Sequence, residues 1–222
     1  MYRRKYSNGQ IKDDQQMVAY SLYYFPVRNL AEPIRMMFHY HGQKFEDIRI
    51  TPEEWPKRKS EIPFGKLPML TVDGKQLVQS QAILRFLARR FHLAGKDVFE
   101  QSRVDELADL FLDVHAAFKP FTYVVAGIEK GDQTQLRKTA LHPSAEKYFP
   151  LYSKILKEVG TGYLVTKKPT FVDFQLADFL FTIRNMAPET FDHHLDLSTY
   201  IDRIYSLSPI KKYIVSRPAT QL

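Results

Sequence analysis

LPMLTVDGKQLVQSQAILRFLAR, residues 67–89, decides the reading of the fold. LPMLTV (67–72) and KQLVQ (75–79) read as two short strands, and Asp73-Gly74 between them suits a two-residue hairpin turn. A helix follows from Ser80, whose hydroxyl can cap it. The stretch is therefore β-β-α. Upstream, YSLYYF (20–25) is an aromatic and apolar run suited to a buried strand, and Pro26 stops it. AEPIRMMFHYH (31–41) has Pro33 in a first helical turn, Ile34, Met37 and Phe38 at helical spacing, and Gly42 at its end. FEDIRI (45–50) alternates as a strand. The order β-α-β, loop, β-β-α predicts a compact α/β domain over residues 17–95.

Beyond Gly95 the strand signal ends. Amphipathic stretches predict helices over about Glu100 to Phe118, Ser144 to Val159, Val172 to Met186 and Leu197 to Leu207, with Pro120, Pro143, Pro169, Pro188 and Pro209 as punctuation. Residues 98–222 are thus expected to form an all-helical domain, and residues 1–16 a disordered extension.

The 222 residues include no Cys, which removes any thiol nucleophile or thiolate metal site of the chain's own. If thiol chemistry occurs, the substrate brings the thiol. The formal net charge is +7, with +2 in residues 1–16, +5 in 17–97 and none in 98–222. No nucleic-acid-binding motif accompanies this excess, so a pocket for a small anion explains it better than a phosphate-backbone track. No apolar run reaches membrane-spanning length and the first residues lack a signal-peptide core, so no membrane partner and a cytoplasmic location are expected.

Pro68 opens a strand, where proline ordinarily marks only an edge or a turn. A cis Leu67–Pro68 bond would instead turn the Leu67 amide and carbonyl outward, where an extended peptide ligand can pair with them. A Ser N-cap at Ser80 needs no ligand. With Gln79 beside it in the basic part of the chain, that helix start is also a place for a ligand carboxylate. Asp105, Asp109 and Asp113 share one helix face, ordinarily a solvated one. With Arg103 as the one basic neighbour in sequence, the three like charges would sit better against a partner's cations or a ligand ammonium. His115 and Phe118 point differently and are candidates to line a cavity. The adjacent His193 and His194 point apart, so no metal site is assigned. Thr170 to Asp173 fits a capping box.

In their order, YYF (23–25), AEPIR (31–35), Trp55-Pro56, PFGKLP (63–68), VDG (72–74), QSQAILRFLAR (79–89), LAGK (93–96) and the capping box resemble the sigma class of cytosolic glutathione transferases over nearly all of residues 17–222. The resemblance implies a thioredoxin-like domain followed by a helical one, a homodimer, and glutathione as co-substrate with no further cofactor. It makes Tyr24 the catalytic hydroxyl. It puts Trp55 and Lys59 at the glycine carboxylate of glutathione, and the Leu67 backbone before Pro68 at the cysteinyl unit. Gln79 and Ser80 would hold the γ-glutamyl carboxylate, with Gly65 and Lys66 against the same peptide. Asp113 would reach the γ-glutamyl ammonium from the partner subunit. Phe25, Val27, His115 and Phe118 are the expected electrophile site.

Three departures bear on this. Asn29-Leu30 stands where the family has Gly-Arg, so an arginine near the thiolate is missing, and Arg28 lies two residues too early. Leu112 replaces an acid, and Pro120 stands near a tryptophan of the prostaglandin D synthase branch, so neither that isomerase activity nor its metal is carried across. The expected function is conjugation of the glutathione thiolate to small hydrophobic electrophiles in detoxification. The alternative is a non-catalytic protein of the same fold that binds or carries hydrophobic ligands.

Overall fold

A computed structural model describes residues 18–222; the extension expected over residues 1–16 lies outside the described residues. The first part comprises β1 (Tyr20–Tyr24), α1 (Glu32–His41), β2 (Glu46–Arg49), α2 (Trp55–Arg58), β3 (Met69–Val72), β4 (Lys75–Val78) and α3 (Ser80–Arg90). The strands form one sheet in the order β2-β1-β3-β4. β1 and β2 are parallel, which requires the crossover that α1 provides, and the other two pairs are antiparallel. Leu22 faces Leu70 across β1 and β3. Along β1 burial alternates, so Tyr20, Leu22 and Tyr24 enter the main core. Tyr23 faces the other way and packs with Trp55 on Ile62, Met69 and Val78. This is a thioredoxin-like domain, and a helical domain follows it.

The helical part comprises α4 (Val98–Val125), α5 (Gln133–Leu136), α6 (His142–Val159), α7 (Phe171–Met186), α8 (Leu195–Tyr205) and α9 (Ser208–Ser216), with a π-helical turn from Arg137 to Leu141 leading into α6. One proline corrects the expected punctuation: Pro120 lies inside α4, which continues past Phe118. Pro150 lies inside α6, within the span expected to be helical. Both prolines are exposed, as are Ala116 and Glu146 four residues earlier, so the carbonyls left without an N–H donor are on a face open to water.

α7 packs on α1, with Tyr40 and Phe174 ring centroids 5.3 Å apart, and the apolar core runs without a break from one part of the chain into the other. A buried ionic cluster reinforces the seam. Asp178 on α7 accepts from Arg28 at 2.8 Å and from the Tyr205 hydroxyl at 2.8 Å. Arg217 donates to Glu32 at 2.7 Å, and Glu32 pairs with Arg35 at 3.2 Å. Arg28 also holds the chain end, its backbone N–H donating to the Leu222 carbonyl at 2.7 Å and its Nη2 to the Gln221 carbonyl at 3.0 Å. Arg28 therefore points into the seam and does not stand in for an arginine at position 30.

Candidate active site

Tyr24 ends β1 with its ring 5% exposed. Burial pushes its phenol well above the ordinary tyrosine value, and the nearby Tyr123 phenol adds to this; the Leu30 backbone N–H and the Arg35 guanidinium pull the other way. At neutral pH Tyr24 is accordingly a neutral hydroxyl, a hydrogen-bond donor and not a base. Phe25 packs on Tyr24 at 5.7 Å and meets the Trp55 ring edge-on at 5.5 Å, which brings Tyr24, Phe25 and Trp55 into one aromatic row.

The loop between α2 and β3 makes a tight path. Phe64 and Gly65 are both left-handed, at φ 61° and 56°. Lys59 lies across Gly65, its Cε 3.2 Å from where a Cβ would stand, so a side chain there would push the lysine aside. Lys66 is exposed, and the Leu67–Pro68 bond is cis, the isomer that the sequence left open. Neither backbone polar group of Leu67 is bonded among the loop and turn hydrogen bonds of the described residues.

Ser80 is the first residue of α3 and not its cap. Gln79 takes the cap position at φ 75°, ψ 114°, an uncommon conformation for a residue with a Cβ. Its carbonyl accepts the Ile83 N–H at 3.0 Å, which leaves the first amides of the helix and the Ser80 hydroxyl at the surface of the turn. An anion placed there would meet donors.

On α4 the acidic stripe has a neighbour that sequence spacing did not reveal. Arg85 of α3 donates to Asp105 at 2.7 Å and to Asp109 at 2.5 Å, which corrects the expectation that Arg103 is the one cation at hand. Asp113 is exposed and has no ion pair among the described residues.

Phe118 is corrected as a cavity wall. It is fully buried, 5.9 Å from the Phe149 ring and 5.4 Å from Phe179, one layer behind any surface. Val27 is half-buried, and its carbonyl accepts from Arg35 at 2.8 Å. His115 sits closer to the site. It lines a cavity of about 30 Å³ between the two parts of the chain, with Asn29, Leu30, Phe111, Phe179 and Leu222. A cleft of about 1090 Å³ lies elsewhere, between the end of α3 and residues 161–170, and holds none of the expected site residues. Leu30, Asn29 and Tyr123 were not singled out from the sequence as contributors, because their approach to Tyr24 and His115 is made by tertiary packing. Among the described residues no group of three or more His, Cys, Asp or Glu could hold a metal ion, and no helix is long and apolar enough to cross a membrane.

Two histidines give the fold a pH dependence. Burial holds the His115 imidazole below its ordinary value, with the Lys119 ammonium adding to this. Burial does the same at His39, which stacks on Tyr213 at 4.1 Å, and Asp47 opposes it. Both rings bind protons less readily in the folded chain than in the unfolded one, where the value is about 6.5. As pH falls through about 6.5 the unfolded state takes up protons first, so these rings make stability fall until the folded-state values are passed. Melting temperatures recorded on acidification should fall less steeply for His39→Gln/His115→Gln than for the wild type; equal slopes would count against this.

The chain thus joins a thioredoxin-like sheet, with a buried phenol at the end of its first strand, to a helical domain. Residues 20–89 match the glutathione S-transferase N-terminal domain model, and residues 113–217 match a C-terminal domain model. Glutathione S-transferase 1 of Ascaris suum is 42% identical over 92% of this chain and 99% of its own length. The chain belongs to the glutathione S-transferase family. Among solved structures, a Nu-class GST from Haemonchus contortus is 44% identical with a TM-score of 0.85, covering 93% of this chain and 100% of that one. Na-GST-3 from the hookworm Necator americanus, described as monomeric, is 41% identical with a TM-score of 0.88, covering 92% and 100%.

Proposed function

We propose that this chain is a sigma-class-like glutathione transferase that ionises bound glutathione at Tyr24 and conjugates it to small hydrophobic electrophiles, a detoxifying role in the cytoplasm. The neutral, buried phenol at the end of β1 is the observation that carries this reading. A free thiol ionises near pH 8.5, so little thiolate exists at neutral pH. A hydroxyl that donates to the sulfur favours the anion, and each unit of lowering takes about 1.36 kcal/mol of differential stabilisation. The Leu30 N–H supports the role without an arginine side chain, since a donor on the Tyr24 oxygen makes its own O–H a stronger donor. The thiolate attacks the electrophilic carbon, the S–C bond forms, and the leaving group departs with the electron pair of its broken bond.

Glutathione would lie along the cis-proline loop. Its glycine carboxylate falls to Trp55 and Lys59, its cysteinyl unit to the Leu67 backbone, and its γ-glutamyl carboxylate to Gln79 and Ser80 at the start of α3. Gly65 and Lys66 would line the path. Phe25, Val27 and His115 would face the electrophile. Retention on immobilised glutathione, followed by conjugation of a generic aryl halide, tests the assignment. Binding of hydrophobic ligands without conjugation would favour the non-catalytic carrier instead.

A homodimer belongs to the same proposal. Phe64 and Leu112, 76% and 45% exposed, are apolar surface for a second copy to cover, and exposed Asp113 is free to reach a partner's ligand. Asp113→Asn should weaken glutathione binding by about 1 to 3 kcal/mol, the usual cost of losing a charge-assisted contact. Mixing Asp113→Asn with Ser80→Ala gives heterodimers in which one site carries both defects and the other carries neither. Activity should rise above that of either homodimer as subunits exchange. A monomer in sedimentation, or exchange without rescue, would refute the shared site.

A further inference from the structure

Asn29 occupies the loop between β1 and α1 in a left-handed conformation, φ 35°, which asparagine tolerates better than most residues with a side chain. Its carboxamide reaches two side chains of α4. Oδ1 is 3.3 Å from His115 Nε2, and Nδ2 donates to the Tyr123 hydroxyl oxygen at 3.5 Å. With Oδ1 as acceptor, the neutral His115 carries its proton on Nε2. An oxygen that accepts from Nδ2 directs its own proton elsewhere, so Tyr123 is left as a donor. Lys119 stands between the two along α4, its Nζ 4.8 Å from the Tyr123 ring centroid. Tyr123 is near enough to Tyr24 to oppose its ionisation.

We propose that Asn29 is a positioning residue for the transfer reaction, a latch from the β1–α1 loop to α4 that aims the Tyr123 hydroxyl into the centre beside Tyr24. The proposal rests on the transferase reading of Tyr24. Where the family pattern has Gly-Arg, this chain has Asn29-Leu30. Here the Leu30 backbone amide and the Asn29 carboxamide stand at the two positions, while the Arg35 guanidinium holds the loop from behind at the Val27 carbonyl.

Asn29→Gly keeps the left-handed backbone without steric cost and removes the carboxamide. Glutathione affinity by calorimetry should stay within about twofold, because the latch touches no part of the peptide. The kcat toward an aryl halide should fall about tenfold, the effect of losing one hydrogen bond to a group that bears charge. Tyr123→Phe should fall as far, and the double variant no further, since both remove one unit. Full kcat in Asn29→Gly, or losses that multiply in the double variant, would overturn the latch.

A second arm needs no turnover. Asn29→Asp places a carboxylate against His115, whose other neighbours are Lys119 and Tyr123 on α4 and, in the same cavity, Gln175 and the Arg28-paired Asp178 on α7. The added anion favours the imidazolium, so the His115 titration followed by NMR should move upward. A titration that does not move would show that ring and carboxamide are not in contact, which also overturns the latch. A wild-type chain that neither binds nor conjugates glutathione overturns the transferase reading itself. A fully active wild type beside an equally active Asn29→Gly overturns the latch alone.

Discussion

Tyr24→Phe should lower kcat/KM for conjugation by about 10- to 100-fold, the range expected when a donor to a developing or resident anion is removed from a water-poor site. Glutathione affinity should change little, because the residues proposed to hold the peptide lie on α2, the cis-proline loop and the start of α3. The substitution removes one oxygen and leaves the ring in its place against Phe25, so packing is preserved. The pH–rate profile should shift upward at the same time, since a thiol without its donor ionises nearer its free value of about 8.5. Tyr23→Phe is the control. Its ring packs on the opposite face of the sheet, and its rate should match the wild type. Full activity of Tyr24→Phe at neutral pH would assign the activating donor to another group.

The second large effect is on folding. Asp173, in the first turn of α7, is fully buried and accepts four hydrogen bonds. The Thr170 N–H and hydroxyl donate to Oδ2 at 2.7 and 2.9 Å, and the Leu164 N–H and Tyr200 hydroxyl donate to Oδ1 at 2.9 and 3.1 Å. One carboxylate thus caps α7, fixes the preceding loop and anchors α8. Asp173→Ala leaves these donors buried without an acceptor. The expected cost is about 3 to 5 kcal/mol, which for a chain of this size lowers the melting temperature by roughly 6 to 20 °C. Asp173→Asn keeps one acceptor oxygen but sets an NH2 against donors, so it should fall between. A shift of Asp173→Ala within a degree or two of the wild type would mean that water replaces the carboxylate.

The strands and most helices were legible because their signals are local. Alternation in YSLYYF separates Tyr23 from Tyr24, and Asp73-Gly74 sets the hairpin. The capping box was legible for the same reason. What sequence reading placed wrongly depends on neighbours distant in the chain. Pro120 looks like a stop, but tertiary packing carries α4 through it on an exposed face. Phe118 shares a helix with His115, yet Phe149 and Phe179 enclose it completely. Arg85 meets Asp105 and Asp109 from another helix. Arg28, two residues too early to replace the missing arginine, does point elsewhere, to Asp178 and the Gln221 carbonyl. The role of the Leu30 amide could not be read from its side chain, because a backbone N–H has no residue signature.

The measurement that bears most directly on the account is the ionisation of the glutathione thiol in the binary complex, followed by the ultraviolet difference absorbance of the thiolate as pH is raised. The account predicts that bound glutathione titrates at least about one unit below the free thiol value near 8.5, and that Tyr24→Phe, still saturated with glutathione, returns it most of the way. A bound thiol that titrates at its free value, or at the same lowered value in wild type and Tyr24→Phe, would contradict it.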